Sequence, residues 1–176
     1  FKSDNTAYKM SEITKESYLY LAVFEGHTRG LEPLFSTPDF AMFDKPSHLM
    51  IHPISKNTQY SLLDEIRYHF GDNANQVHRI DAETSGLVLV GKKENVTNEL
   101  ATMFAEKLYK KKYLAIVRGK IENEITIDKN LKKEGKAIGV RMTTCESDEG
   151  KSSITIVKPL KYNKNNDLTL VDVTPI

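Results

Sequence analysis

Cysteine occurs only once, at Cys145, so no disulfide can form within the chain. That fits a reducing compartment, where thiols stay free. Long apolar runs are missing as well. The run Gly86-Leu-Val-Leu-Val-Gly91 falls far short of the roughly 20 residues that a membrane-spanning helix requires. The opening Phe1-Lys-Ser-Asp-Asn-Thr has no basic segment followed by an apolar one, so it does not read as a signal peptide. It also lacks an initiating Met, which suggests that the natural start lies elsewhere. These absences lead to the expectation of a cytoplasmic protein with no membrane association. An excess of charge of one sign is absent too: 25 Lys and Arg stand against 24 Asp and Glu, a net charge of +1. A dedicated nucleic-acid binder is often far more basic, so any such role must rest on where the cations sit. No repeat, low-complexity tract or coiled-coil heptad is visible.

What is present suits a folded protein. The 176 residues are 39% apolar and 28% charged, enough for one domain or two small lobes sharing one sheet. A chain of this length buries roughly two thirds of its unfolded surface without staples. Residues 1–30 are polar and poorly periodic apart from Tyr18–Phe24, and are expected to form an N-terminal extension. From Leu31 the pattern tightens. Asp39–Phe43 reads as a strand stopped by Lys45-Pro46, and His48–His52 as a second extended piece closed by Pro53. Ser61 is placed to cap a helix with Leu62, Leu63, Ile66 and Phe70 on one face, ended by Gly71. Val77–Ile80 looks extended, and Leu87–Val90 is the apolar run of a buried central strand. Val96, Leu100, Met103, Phe104 and Leu108 recur at helical spacing. Strands follow at Tyr113–Val117, Ile121–Ile127, Ala137–Met142, Ser153–Val157 and Leu168–Val173, with a polar turn at Asn163–Asp167. The expected fold is α+β, a mixed, mostly antiparallel sheet with flanking helices, over residues 31–176.

The chemistry concentrates in His78-Arg-Ile-Asp-Ala-Glu-Thr-Ser-Gly86, between two apolar strands. Taken by itself this stretch puts Asp81 in a loop at a sheet edge beside the cation of Arg79. Thr84, Ser85 and Gly86 can turn the backbone and hydrogen-bond a carboxylate. A turn whose Asp and Ser satisfy local backbone groups would look the same.

His-Arg-Ile-Asp-x-x-Thr-Ser-Gly resembles the signature of RluA-type RNA pseudouridine synthases, in which Leu is commoner at the place of Ile80. Three further segments match in the family's order. Leu34–Pro53, with Lys45-Pro46 and His52-Pro53, is similar to its first motif. Lys111-Lys-Tyr-Leu-Ala-Ile-Val-Arg-Gly119 resembles the segment carrying its active-site tyrosine. Lys151-Ser-Ser-Ile-Thr155 and Leu168-Thr-Leu-Val-Asp-Val-Thr174 look like the strands that follow. One feature departs: in the family such a last strand leads into Thr-Gly-Arg-x-His-Gln-Ile-Arg, whose Arg pairs with the catalytic Asp. The sequence stops at Pro175-Ile176. The resemblance therefore implies a C-terminally incomplete catalytic domain, with the parent reading frame running on.

The same resemblance implies an activity, the isomerisation of uridine to pseudouridine in ribosomal or transfer RNA. The reaction neither gains nor loses atoms, so no cofactor and no metal are expected. Asp81 would be the nucleophile, a partly buried carboxylate kept ionised beside a cation. Tyr113 would stack on the target uracil. The nucleotide must be flipped out of its stack to reach the Asp, and Arg79 would fill the gap. Lys110, Lys111 and Lys112, with Lys107 and Arg118 nearby, form the densest cation cluster, able to attract phosphate or simply to solvate a helix end. His78, Thr84, Ser85, Gly86 and Lys45 would support the site. The partner is RNA and the expected state a monomer. An RNA-binding or chaperone-like module that keeps the fold without catalysis is the rival reading. Three other signals lead nowhere. Gly150-Lys-Ser152 lacks the first Gly of a phosphate loop, and His48 and His52 lie in an extended stretch unsuited to a metal. Asn95-Val-Thr97, a glycosylation acceptor in form, begins the best helix.

Overall fold

A computed structural model describes residues 18, 26–53, 58–135, 141–146 and 150–176. The chain divides into two compact units, Phe1–Leu108 and Tyr109–Ile176. The first begins with strands β1 (Phe35–Ser36) and β2 (Phe40–Lys45) and helix α1 (Leu62–Phe70). Strands β3 (Asn75–Gln76) and β4 (Gly86–Gly91) and helix α2 (Glu94–Ala105) complete it. Its sheet runs β1-β2-β4-β3 with every pairing antiparallel. The α+β expectation holds, and the apolar run is indeed the central strand.

Strand β2 alternates strictly. Ala41, Phe43 and Lys45 face inward, while Met42 and Asp44 face the other way. With Val88 and Val90 of β4, the inward pair meets Leu62 and Ile66 of α1, plus Ile51 and Ala74. Two glycines close β4 for different reasons. Gly86 has φ +120, a region that side chains avoid. Gly91 lets α2 approach, since a Cβ there would stand 2.6 Å from the Thr97 backbone nitrogen.

Helix α1 starts where its sequence says, with extended Ser61 as N-cap and Gly71 as C-cap. The Asp64 carboxylate accepts both the Ser61 N–H and the Ser61 hydroxyl at 2.8 Å. His48–His52, expected to be extended, joins no strand. The carbonyls of Met50 and Ile51 instead accept the N–H groups of Leu62 and Leu63, two donors left open by the first helical turn. Val77–Ile80 is likewise a bend rather than a strand, because β3 ends at Gln76.

Glu65 of α1 is fully buried. Its Oε1 accepts the backbone N–H of Arg29 at 2.6 Å and of Leu31 at 3.3 Å, and also the Tyr60 hydroxyl. His27 Nδ1 stands 3.0 Å from Asp64, and His69 Nε2 lies 3.1 Å from the Leu31 carbonyl. The segment from His27 to Leu31 is thereby clasped to α1.

The second unit is a five-stranded antiparallel sheet, ordered β5-β9-β8-β6-β7. Its strands are β5 (Tyr113–Arg118), β6 (Ile125–Glu134), β7 (Arg141–Cys145), β8 (Lys151–Asn163) and β9 (Leu168–Pro175). β6 and β7 lie a few residues later than the sequence pattern suggests, and part of the expected strand at Ala137–Met142 lies outside the described residues. Val157, Thr169 and Val171 are buried on one face. The Tyr18–Phe24 segment falls outside the described residues except for exposed Tyr18.

Burial acts to raise the Glu65 carboxyl, but the hydrogen bonds from Tyr60, Arg29, Thr28 and Leu31 outweigh it and hold the group below the usual carboxylate range. Its stabilising effect is therefore present above that range and lost as pH falls through the lowered value. Glu65→Gln should cost about 1–3 kcal/mol near neutrality. The gap to wild type should shrink in acid, and exchange at the Arg29 and Leu31 amides should quicken. Urea unfolding across pH and hydrogen exchange would check both.

Candidate active site

The loop joining β3 to β4 carries the signature residues and is held from below by a charge. Lys45, the third inward position of β2, is fully buried. Its ammonium donates to three main-chain carbonyls: Leu49 at 2.7 Å, Pro46 at 3.0 Å and Ala82 at 3.0 Å. An ammonium has three N–H bonds, and all three are used. Burial pushes Lys45 below the ordinary lysine range, against the opposing fields of Glu83 and Asp81. Beside it the Ser47 hydroxyl donates to the Glu83 carbonyl at 2.6 Å. The Thr84 N–H closes a turn on the Asp81 carbonyl at 3.1 Å. Three hydrogen bonds thus fix the backbone of residues 81–84.

With the backbone pinned, side chains alternate. Ala82, Thr84 and Gly86 are half-buried, while Asp81, Glu83 and Ser85 are exposed. The expectation of a partly buried Asp81 is therefore not met. The buried anchors hold main-chain carbonyls inward, and the side chains between them turn out. Nor does a hydroxyl of Thr84 or Ser85 reach the carboxylate: among the described residues, Asp81 accepts no side-chain hydrogen bond. The carboxylate is presented, not enclosed.

Upstream in the same loop, the His78 ring stacks on Phe104 of α2, with centroids 4.4 Å apart and planes 17° apart. Its Nε2 accepts the Leu89 N–H at 3.2 Å, which requires that nitrogen to be unprotonated. His78 thus ties the loop to β4 and to α2. Arg79 is exposed and helps line a shallow cavity of about 300 Å³ with His52, Gln76, Val77 and His78.

The remaining expected residues lie on the second unit. Tyr113 opens β5, half-buried and opposite Val173 of β9. Lys110, Lys111 and Lys112 are exposed on the segment leading into that strand, and Lys112 lies 3.6 Å from the Asp172 carboxylate. Among the described residues no group of three or more His, Cys, Asp or Glu is arranged to hold a metal, and no helix is long and apolar enough to cross a membrane. Sequence reading missed Ser47 and the carbonyls of Pro46, Leu49 and Ala82. A backbone carbonyl leaves no trace in sequence, and Ser47 stands out only as part of the Lys-Pro-Ser stretch.

The RNA pseudouridylate synthase family profile matches residues 39–176. An RNA pseudouridine synthase of Helicobacter pylori (strain J99) is 37% identical over 181 residues, an alignment spanning 99% of this chain and 60% of that protein. The ribosomal large subunit pseudouridine synthase C of Rickettsia prowazekii is 35% identical, over 76% of this chain and 44% of its own length. The tRNA pseudouridine synthase C of Vibrio parahaemolyticus is 31% identical, over 74% and 53%. This chain therefore spans about 60% of the length of the Helicobacter relative and less of the others. Among solved structures, human RNA pseudouridylate synthase domain containing 1 shares the fold with a TM-score of 0.69, at 23% identity, covering 87% of this chain and 62% of its own. The signature loop, the antiparallel α+β architecture and the profile match over most of the sequence agree: the chain belongs to the RNA pseudouridylate synthase family, in the RluA-type branch its motifs indicate.

Proposed function

We propose that this protein isomerises uridine to pseudouridine in structured RNA, with Asp81 as the nucleophile. The observation that carries this reading is an exposed carboxylate on a backbone locked by Lys45 and Ser47, within the profile match. In the reaction the C1′–N1 bond breaks, a C1′–C5 bond forms, and the proton on C5 is replaced by one on N1. The sum is zero, and Asp81 is regenerated. A carboxylate oxygen supplies the lone pair that a nucleophilic step requires. Its exposure suits a substrate that swings a base out from a strand, at a cost of a few kcal/mol.

Arg79, exposed beside a shallow cavity, is assigned to the space the base vacates, where a planar cation can stack and donate. Tyr113 is assigned to stacking on the uracil by its place in the motif, and Lys110, Lys111 and Lys112 to phosphate attraction by their exposure. Lys45, His78, Thr84, Ser85 and Gly86 are assigned to holding the loop. Relatives named for large-subunit ribosomal RNA and for transfer RNA support both as substrate classes, and a cytoplasmic place of work is part of the same proposal.

In cells lacking the gene, wild type should restore the missing pseudouridines, while Asp81→Ala should leave them at the deletion level, a loss above about a thousandfold in rate. Sequencing that maps pseudouridine across ribosomal and transfer RNA would decide it, and full rescue by the alanine variant would remove Asp81 from the chemistry. Lys45→Met should leave three part-buried carbonyls without their donor, at up to about 1–3 kcal/mol each. Because burial lowers the Lys45 pKa, the unfolded chain holds more protons in the alkaline window below the ordinary lysine range. Wild-type stability should thus gain on Lys45→Met as pH rises through that window. Urea titrations at several pH values would measure it.

A further inference from the structure

A second concavity lined by described residues of the first unit is larger than the one beside Arg79. It holds about 710 Å³ and is bounded by residues 29–31, 46–50 and 58–60. That size falls within the roughly 300–1,000 Å³ common for small-molecule sites. Nothing in the reaction described above uses it.

Its wall is shared with the catalytic loop. Lys45 gathers the Pro46 and Leu49 carbonyls on one side and the Ala82 carbonyl on the other, and Ser47 bonds the Glu83 carbonyl. A ligand resting on Ser47 to Met50 therefore rests on the loop that fixes Asp81. Across the cavity, the Arg29 guanidinium carbon stands 4.3 Å from the centroid of the Tyr60 ring. Arg29 is exposed, and among the described residues its guanidinium makes no ion pair. Both halves of this cation–aromatic platform are built on Glu65, which accepts the Arg29 N–H and the Tyr60 hydroxyl. Glu65 itself is sealed beneath, and no carboxylate is among the described lining residues. Burial and the bond to Glu65 push the Tyr60 hydroxyl well above its usual range, so it stays a donor and the platform stays neutral apart from Arg29.

An oriented cation stacked on an aromatic ring, in an open cavity without acidic lining, suits a planar ligand that carries negative charge. Single-stranded nucleic acid meets both requirements at once, with a phosphate for the guanidinium and a base for the flat surfaces. We propose that this cavity is a second RNA-binding subsite, holding an unpaired nucleotide that flanks the target uridine, with its phosphate on Arg29. This rests on the RNA-modifying reading above, and adds a strand position against the Pro46–Met50 loop. A free mononucleotide offers the same chemistry, and the test separates the two.

The experiment is fluorescence anisotropy of a fluorescein-labelled oligouridylate with the natural full chain, repeated across salt concentrations. The backbone N–H that reaches Glu65 survives any side-chain replacement other than proline, so Arg29→Gln should fold as wild type does, checked by thermal melting. It should weaken binding about five- to thirtyfold and reduce the slope of log affinity against log salt by about 0.7, the value for one lost phosphate contact on a single strand. Arg29→Lys should keep the slope while losing part of the affinity. Tyr60→Leu should weaken binding more than Tyr60→Phe, which keeps the ring. Unchanged affinity and slope in Arg29→Gln would overturn the subsite. So would free uridine monophosphate competing as tightly as the oligonucleotide, which would mark a mononucleotide site instead. Asp81→Ala is scored by pseudouridine content alone, so the catalytic reading and this one fail separately.

Discussion

A single buried ammonium organises the loop that carries Asp81. Lys45 occupies the third inward position of β2, after Ala41 and Phe43, where the alternation of the strand would call for another apolar side chain. Burying a charge there is tolerable only because every N–H is matched by a carbonyl. One of those carbonyls belongs to Ala82, 37 residues away in sequence and adjacent to Asp81. The β2–β4 register, with Lys45 opposite Gly86, brings the loop within reach. Replace the lysine by a leucine and the hydrophobic pattern improves while the loop loses its fixed point.

Glu65 is the counterpart of opposite sign. It too sits on an inward face, and its Oε1 is satisfied largely by main chain, in this case the N–H groups of Arg29 and Leu31. A buried cation collects carbonyls and a buried anion collects amides. Each draws a remote segment onto the same small sheet. The two devices meet around one loop, since Pro46 to Met50 is fastened by Lys45 and faces the residues that Glu65 fastens. The groups proposed to act, Asp81, Arg79 and Arg29, are exposed and set on a backbone that buried charges hold still. That division suits a substrate too large to be enclosed.

Much of the fold could be read in advance. The bounds of α1 follow from Ser61 and Gly71, the central strand from Gly86–Gly91, and α2 from the spacing of Val96, Leu100 and Phe104. Reading failed where the backbone found partners other than a strand. His48–His52 looks extended because prolines bracket it, yet its last carbonyls serve the first turn of α1. At the candidate site the motif named Asp81, Arg79, His78 and Lys45. It could not say that Asp81 would be exposed, because exposure follows from which neighbouring carbonyls are tied down.

By itself, then, the sequence determined the family, the order of the two helices and the longer strands, and the identity of the candidate carboxylate, because motif spacing and periodicity are local properties of the chain. Only the tertiary structure decided what surrounds Lys45, which way the Asp81 loop faces, and that Arg29 and Tyr60 form a platform over Glu65. The deciding contacts, Lys45 to Ala82 and Arg29 to Glu65, join positions more than thirty residues apart through main-chain atoms. Every residue carries the same carbonyl and, proline apart, the same N–H, so nothing in the side-chain order announces which of them will be used.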